Sequence, residues 1–181
     1  MDPKWVVVAI VAAVVVVGIL WMTMRKRRTE ALKERFGPEY DRTLREHGTK
    51  AETVLAEREK RVERFPIREL AADERERFVT EWRSVQTRFV DDPNGAVTEA
   101  DELVSRLMQT RGYPMSNFDQ RAADLSVDHP RVVDNYRAAH EIALRHRRGE
   151  ATTEDLRQAI IYYRSLFDDL LQTRTDHREV A

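Results

Sequence analysis

The feature that most constrains this chain is an apolar run over residues 5–24, followed at once by Arg25-Lys26-Arg27-Arg28. Twenty residues in a helix rise about 30 Å, the thickness of a bilayer's hydrocarbon core. Eight of them are valine. Such β-branched residues form helices poorly in water but readily in lipid, where the backbone must satisfy its own hydrogen bonds. Trp5 and Trp21 stand near the two ends, where interfacial rings belong. The run reads as a single-pass transmembrane anchor. A cleaved signal peptide would need positive charge ahead and small residues behind; here only Lys4 precedes the run and Trp21-Met22-Thr23-Met24 closes it. With the basic cluster on the far side, the positive-inside bias places residues 1–4 outside and the body in the cytoplasm.

The remainder is polar. Residues 25–65 carry thirteen Lys/Arg against nine Asp/Glu, and residues 66–181 carry seventeen against twenty-two. A basic base beside an acidic distal part suits attraction to anionic lipid. The basic clusters lack interleaved aromatics and are balanced by acids, so no nucleic-acid partner is expected. The absence of cysteine excludes disulfides, thiolate metal sites and a cysteine nucleophile.

The spacing predicts an all-α fold: the anchor at 5–24, a charged juxtamembrane helical stalk at 25–65, a bundle of about five amphipathic helices at 66–174, and a tail at 175–181. Gly37-Pro38 breaks the stalk and restarts it. Leu44, Ala51, Leu55 and Val62 form a thin seam at sevens and fours, suited to a homo-oligomeric coiled coil or to packing on the bundle. Beside it, Glu57, Glu59, Lys60, Arg61, Glu63 and Arg64 read as a solvated face. Phe65-Pro66-Ile67 marks a turn. Phe78, Trp82, Val85 and Phe89 make one apolar stripe. A second stripe holds Val97, Ala100, Leu103, Val104, Leu107 and Met108, with Pro93 before it and Gly112 as its C-terminal cap. Ser116 with Asp119 reads as an N-cap, and Asp128 as the cap of the next helix. That helix presents Val132, Val133, Tyr136, Ala139, His140 and Ala143 and ends at Gly149. Thr152 with Asp155 opens the last helix, whose stripe runs Leu156, Ala159, Ile160, Tyr163, Leu166, Phe167, Leu170, Leu171. Asp168-Asp169 on that helix reads as solvated.

Carboxylates and imidazoles can hold a divalent metal or move protons, so Asp124, Asp128, His129 and His140 form the one constellation with chemistry in it. The i,i+4 spacing of helical metal sites is missing. Capping by Asp128 and core packing of His140 explain the same residues without a ligand. Glu39, Asp41 and Glu46 suit a helix N-terminus. With no Gly-rich phosphate loop and no Gly-x-Ser-x-Gly elbow, the chain calls for no cofactor and no enzyme activity.

Two tracts are more particular than a bundle requires. They are Arg35-Phe36-Gly37-Pro38-Glu39-Tyr40-Asp41-Arg42 and Arg111-Gly112-Tyr113-Pro114 with Phe118-Asp119-Gln120-Arg121-Ala122-Ala123-Asp124-Leu125-Ser126-Val127-Asp128-His129-Pro130. On these tracts the chain resembles a family of small uncharacterised bacterial single-pass membrane-anchored helical proteins. The resemblance implies the bacterial inner membrane, with an extracytoplasmic or secreted location as the alternative, and it brings no catalytic residues. The expected role is a scaffold or adaptor acting by protein–protein contacts at the membrane. Its candidate partner surface is Tyr113, Pro114, Phe118, Asp128 and His129. The alternative is a metal- or ligand-binding helical domain using Asp128, His129 and His140.

Overall fold

The computed structural model describes the backbone of residues 3–172 and the side chains of residues 16–172. The expected tail at 175–181 and the first two residues lie outside that range, as do the side chains of Trp5 and of the rest of 5–15. The chain divides into two compact units, Met1–Leu55 and Ala56–Ala181.

In the first unit, α1 (Pro3–Phe36) ends at Gly37, whose positive φ of 47° a residue without a side chain adopts readily. Pro38 then opens α2 (Pro38–His47), with Glu39 and Asp41 in its first turn at the positive end of the dipole. A 3-10 turn (Gly48–Lys50) leads into α3 (Ala51–Val62). Glu52 gathers these pieces: it accepts from Thr29 Oγ1 at 2.7 Å and from the Tyr40 hydroxyl at 3.4 Å. Leu32, Phe36, Tyr40, Ala51 and Leu55 are buried, whereas Leu44 is 44% exposed. The seam expected along the stalk is therefore not carried by one helix. The turn at Gly48 rotates Leu44 out of line with Ala51 and Leu55.

The transmembrane anchor expected at 5–24 is corrected. Among the described residues no helix is long and apolar enough to cross a membrane. From Arg25 onward α1 carries charged residues in every turn, which excludes that half of the helix from a span.

The second unit is a helical bundle, and among its described residues there is no strand. It holds the end of α3, then α4 (Ala72–Asp91), α5 (Pro93–Thr110), α6 (Phe118–Asp128), α7 (Val133–Arg147) and α8 (Thr153–Leu171). α4 packs along α5, α5 along α8, α8 along α7, and α6 lies against α7. The apolar stripes meet in one core that includes Trp82, Val85, Leu103, Leu107, Tyr136, Tyr163, Leu166 and Phe167. Burying such side chains is worth about 1.5–3 kcal/mol each, which makes this core the main source of stability.

Local chemistry sets the helix ends. Asp92 caps α5 through its carboxylate, which accepts from Gly95 N at 2.9 Å, with Pro93 in the first turn. Thr152 and Asp155 form a reciprocal capping box on α8. The cap of α6 is Asn117, not Ser116, because the helix begins at Phe118 and only the Asn117 side chain reaches Gln120 N, at 2.9 Å. Asp128 is likewise not an N-cap. It is the last residue of α6, Pro130 prevents the helix from running on, and α7 begins three residues later at Val133 without a side-chain cap.

Candidate functional site

Two groups of polar side chains sit inside the bundle, one at each end of the α6–α7 pair. The first gathers the tract singled out in the sequence. Gly112, with φ of 95°, turns the chain after α5, and Tyr113 N reaches back to Met108 O at 3.0 Å, which directs the Tyr113 ring inward. The Tyr113 hydroxyl donates to Asp128 Oδ2 at 3.0 Å. Next to Asp128, His129 caps the C-terminus of α6, and its Nδ1 pairs with the Asp169 carboxylate on α8. Asp169 thus has a partner, while its neighbour Asp168 is exposed and pairs with Arg164. The His129 Nε2 atom is buried and has no hydrogen-bond partner.

Arg111, one residue before the turn, is 4% exposed. Its Nη1 donates to the Leu170 carbonyl at 2.7 Å and its Nε to the Arg68 carbonyl at 3.4 Å. A guanidinium at the end of α8 satisfies an orphan carbonyl and complements the dipole. Asp124 serves a third connection, accepting from Arg61 Nε at 2.7 Å and from Gln120 at 2.9 Å. One turn earlier on α3, Arg58 is buried and donates to Ser126 Oγ at 3.2 Å. Arg58 and Arg61 dock the end of α3 on α6, so Arg61 is not part of a purely solvated face.

These positions answer the sequence expectations residue by residue. Tyr113 and His129 are buried and cannot offer side chains to a partner; Phe118 is half-buried, and Pro114 with Met115 is exposed. Asp128 and His129 adjoin each other, but His140 belongs to the second group. Among the described residues no set of three or more His, Asp or Glu is placed to hold a metal ion. The metal candidates Asp128, His129 and His140 form no such set. A surface depression lies along one face of α4, lined by Asp73, Glu76, Arg77, Thr80 and Glu81. A face of a single helix encloses nothing.

The second group brings together Asp101 of α5, Phe118 and Arg121 of α6, Tyr136 and His140 of α7, and Tyr163 of α8. Tyr163 donates to Asp101 Oδ1 at 2.9 Å. The Phe118 ring stacks on His140 at 3.6 Å between centroids and 8° between planes, and tilts against Tyr136 at 4.9 Å. Three buried atoms here have no hydrogen-bond partner: Arg121 Nε, the Tyr136 hydroxyl and His140 Nδ1. Burial holds the His140 imidazole below its ordinary value; Asp101 and Glu141 oppose this, while Arg147 and Arg121 reinforce it. Sequence reasoning placed His140 on an apolar face and missed Asp101, Arg121 and Tyr163, because no spacing within a single helix connects them.

Burial pushes the Tyr136 phenol up from 10.0 to about 12, with Asp101 acting in the same direction and Arg121 against it. Tyr163 is raised by burial and by Asp101. Well below pH 10 both phenols are neutral whether the chain is folded or not. Above it the unfolded chain ionises Tyr136 first, so stability falls as pH rises, by about 1.4 kcal/mol at pH 11 from Tyr136 alone. Tyr163 adds to the same loss. In urea unfolding, Tyr136→Phe is expected to lose less stability than the parent between pH 9 and 11. An equal loss would mean that the hydroxyl is not desolvated.

Comparison of the chain with protein-family models, curated proteins and solved structures finds no match.

Proposed function

We propose that the chain is a helical adaptor that binds an anionic lipid surface through its N-terminal helix and offers its bundle to a protein partner. The observation that carries this reading lies on α1. Val16, Val17, Ile19, Leu20, Trp21, Met22 and Met24 are each more than half exposed, and Arg25, Lys26, Arg27 and Arg28 follow on the same helix, also exposed. The Arg25 guanidinium lies 5.5 Å from the centroid of the Trp21 ring, joining the apolar and basic parts. A contiguous apolar surface of this kind marks an interaction site. The basic residues adjoining it favour anionic headgroups by about 1 kcal/mol each.

The full chain is expected to co-sediment with phosphatidylcholine vesicles that contain phosphatidylserine, and more weakly with phosphatidylcholine alone. Reversing all four basic residues to Glu is expected to weaken the anionic binding by about a thousandfold, from four contributions of about 1 kcal/mol. Binding that ignores both the phosphatidylserine and the reversal would remove the basic cluster from the reading. No binding to either vesicle would remove lipid altogether.

On the bundle, Pro114 is the residue of the expected partner surface that is exposed, and Met115 and Asn117 beside it extend the exposed turn. Ordered loops on a rigid scaffold are common recognition elements. A photo-crosslinker at position 115 in cells is expected to capture a protein that a crosslinker at the buried position 113 does not. Identical capture from both, or none from either, would reject this surface.

A further inference from the structure

We propose that Arg121, Tyr136 and His140 form a binding site for a small oxyanion, a carboxylate or phosphate group, with Phe118 as its wall. The site is built from one turn of α6 facing one turn of α7. Phe118 and Arg121 are three residues apart on α6, and Tyr136 and His140 four apart on α7, so each pair projects from one helical face. Phe118 contacts both rings of the opposite pair, at 3.6 Å and 4.9 Å, which brings the two turns together. Arg121 is close enough to Tyr136 and to His140 to shift the titration of both, and lowers that of the Tyr136 phenol as a nearby donor, yet neither Arg121 Nε nor the Tyr136 hydroxyl has a partner in good hydrogen-bond geometry.

The three unpartnered atoms have a common chemistry. Arg121 Nε and the Tyr136 hydroxyl are donors, and His140 Nδ1 donates in one neutral tautomer and in the protonated ring. Leaving one such buried group unsatisfied is costly, and native interiors seldom leave several together. The acid closest to hand, Asp101, is engaged with Tyr163. A single water serves all three only in the tautomer whose Nδ1 accepts, whereas a carboxylate or phosphate accepts from all three and also neutralises the Arg121 guanidinium. Tyr136 is fully buried, while Arg121 and His140 are half-buried.

Charges facing the site come from each neighbouring helix. Arg121 on α6 and Arg147 on α7 favour an anion, Asp101 on α5 and Glu141 on α7 oppose it, and Tyr163 on α8 is neutral. The site is independent of the lipid contact on α1, so either reading can fail alone.

The test is thermal unfolding of the full chain in a chloride buffer, with inorganic phosphate or acetate added at constant ionic strength. Either anion is expected to raise the midpoint saturably. The stronger of the two identifies the class as phosphate or carboxylate. Arg121→Gln and Tyr136→Phe are each expected to weaken the apparent affinity about tenfold or more, the loss of one hydrogen bond to a charged acceptor. In the parent chain, the His140 ring-proton resonance is expected to titrate at higher pH when the anion is present, a readout that does not depend on a variant folding. Absence of any saturable shift with both anions overturns the proposal. So does a shift that both variants retain in full, or a His140 titration that the anion leaves unmoved.

Discussion

Replacing Gly112 with Ala is expected to destabilise the bundle by about 3–5 kcal/mol, close to half of what a domain of this size has in reserve. Two costs combine. The backbone there has φ of 95°, a conformation that residues with a side chain adopt only under strain. An added Cβ would also stand 2.4 Å from the Pro66 carbonyl oxygen and 2.9 Å from its carbon. Those atoms are backbone, held in place because Arg68 N donates to Arg111 O at 2.9 Å across the same crossing. No rotamer change can relieve the overlap. Gly149 provides the comparison: its φ is 72°, but nothing lies within 4 Å of a Cβ built there. Gly149→Ala should cost only the strain, about 1 kcal/mol. Urea unfolding of both variants measures the difference, and equal losses would show that the crossing at Pro66 can open.

That crossing also explains why Arg111-Gly112-Tyr113-Pro114 looked more specific than a helix end requires. Sequence reasoning identified Gly112 as a cap from its place after an apolar stripe, which is a local property. It could not show that Pro66 passes beneath it, or that Arg111 reaches the last turn of α8. The same division runs through the molecule. Caps at Pro93 and Thr152, the turns at Gly37-Pro38 and Phe65-Pro66, and the stripes of α5 and α8 were all readable, because each depends on residues within a few positions. Asn117 in place of Ser116 was lost by one residue, since both types cap well and only the geometry of the first turn decides. Asp128 misled for a related reason. An Asp before His-Pro suits a helix start, and here it ends a helix and accepts from Tyr113.

Pairs that bridge distant segments gave no signal. His129 with Asp169, Arg61 with Asp124 and Tyr163 with Asp101 lie 40, 63 and 62 residues apart. Hydrophobic periodicity reports which face of a helix is buried, but not which other face it meets. His140 was therefore placed on its helix without Asp101, Arg121 and Tyr163, the residues of other helices that lie near it. The apolar run at the N-terminus shows the opposite limit. Its composition was plain, but among the described residues no helix is long and apolar enough to cross a membrane, and α1 carries exposed apolar and basic side chains from Val16 to Arg28.

Truncating Phe167 to Ala is expected to cost about 3–5 kcal/mol and to loosen α4 before the rest of the bundle. Phe167 is 1% exposed and stacks on Trp82 at 4.7 Å with 19° between the planes. α4 packs mainly along α5, so the stack ties α4 directly to α8 across the core. An offset aromatic pair contributes about 0.5–1.5 kcal/mol beyond the area it buries, and the alanine would lose that and leave a cavity as well. The partner position separates the two effects. Trp82 Nε1 is buried without a hydrogen-bond partner, so Trp82→Phe removes an unsatisfied donor while keeping a ring against Phe167. It is expected to cost less than about 2 kcal/mol. Hydrogen exchange should then show amides of α4 opening earlier in Phe167→Ala than those of α5 and α8, and little change in Trp82→Phe. Uniform loss of protection across all three helices would mean that the stack is only one core contact among many, with no particular hold on α4.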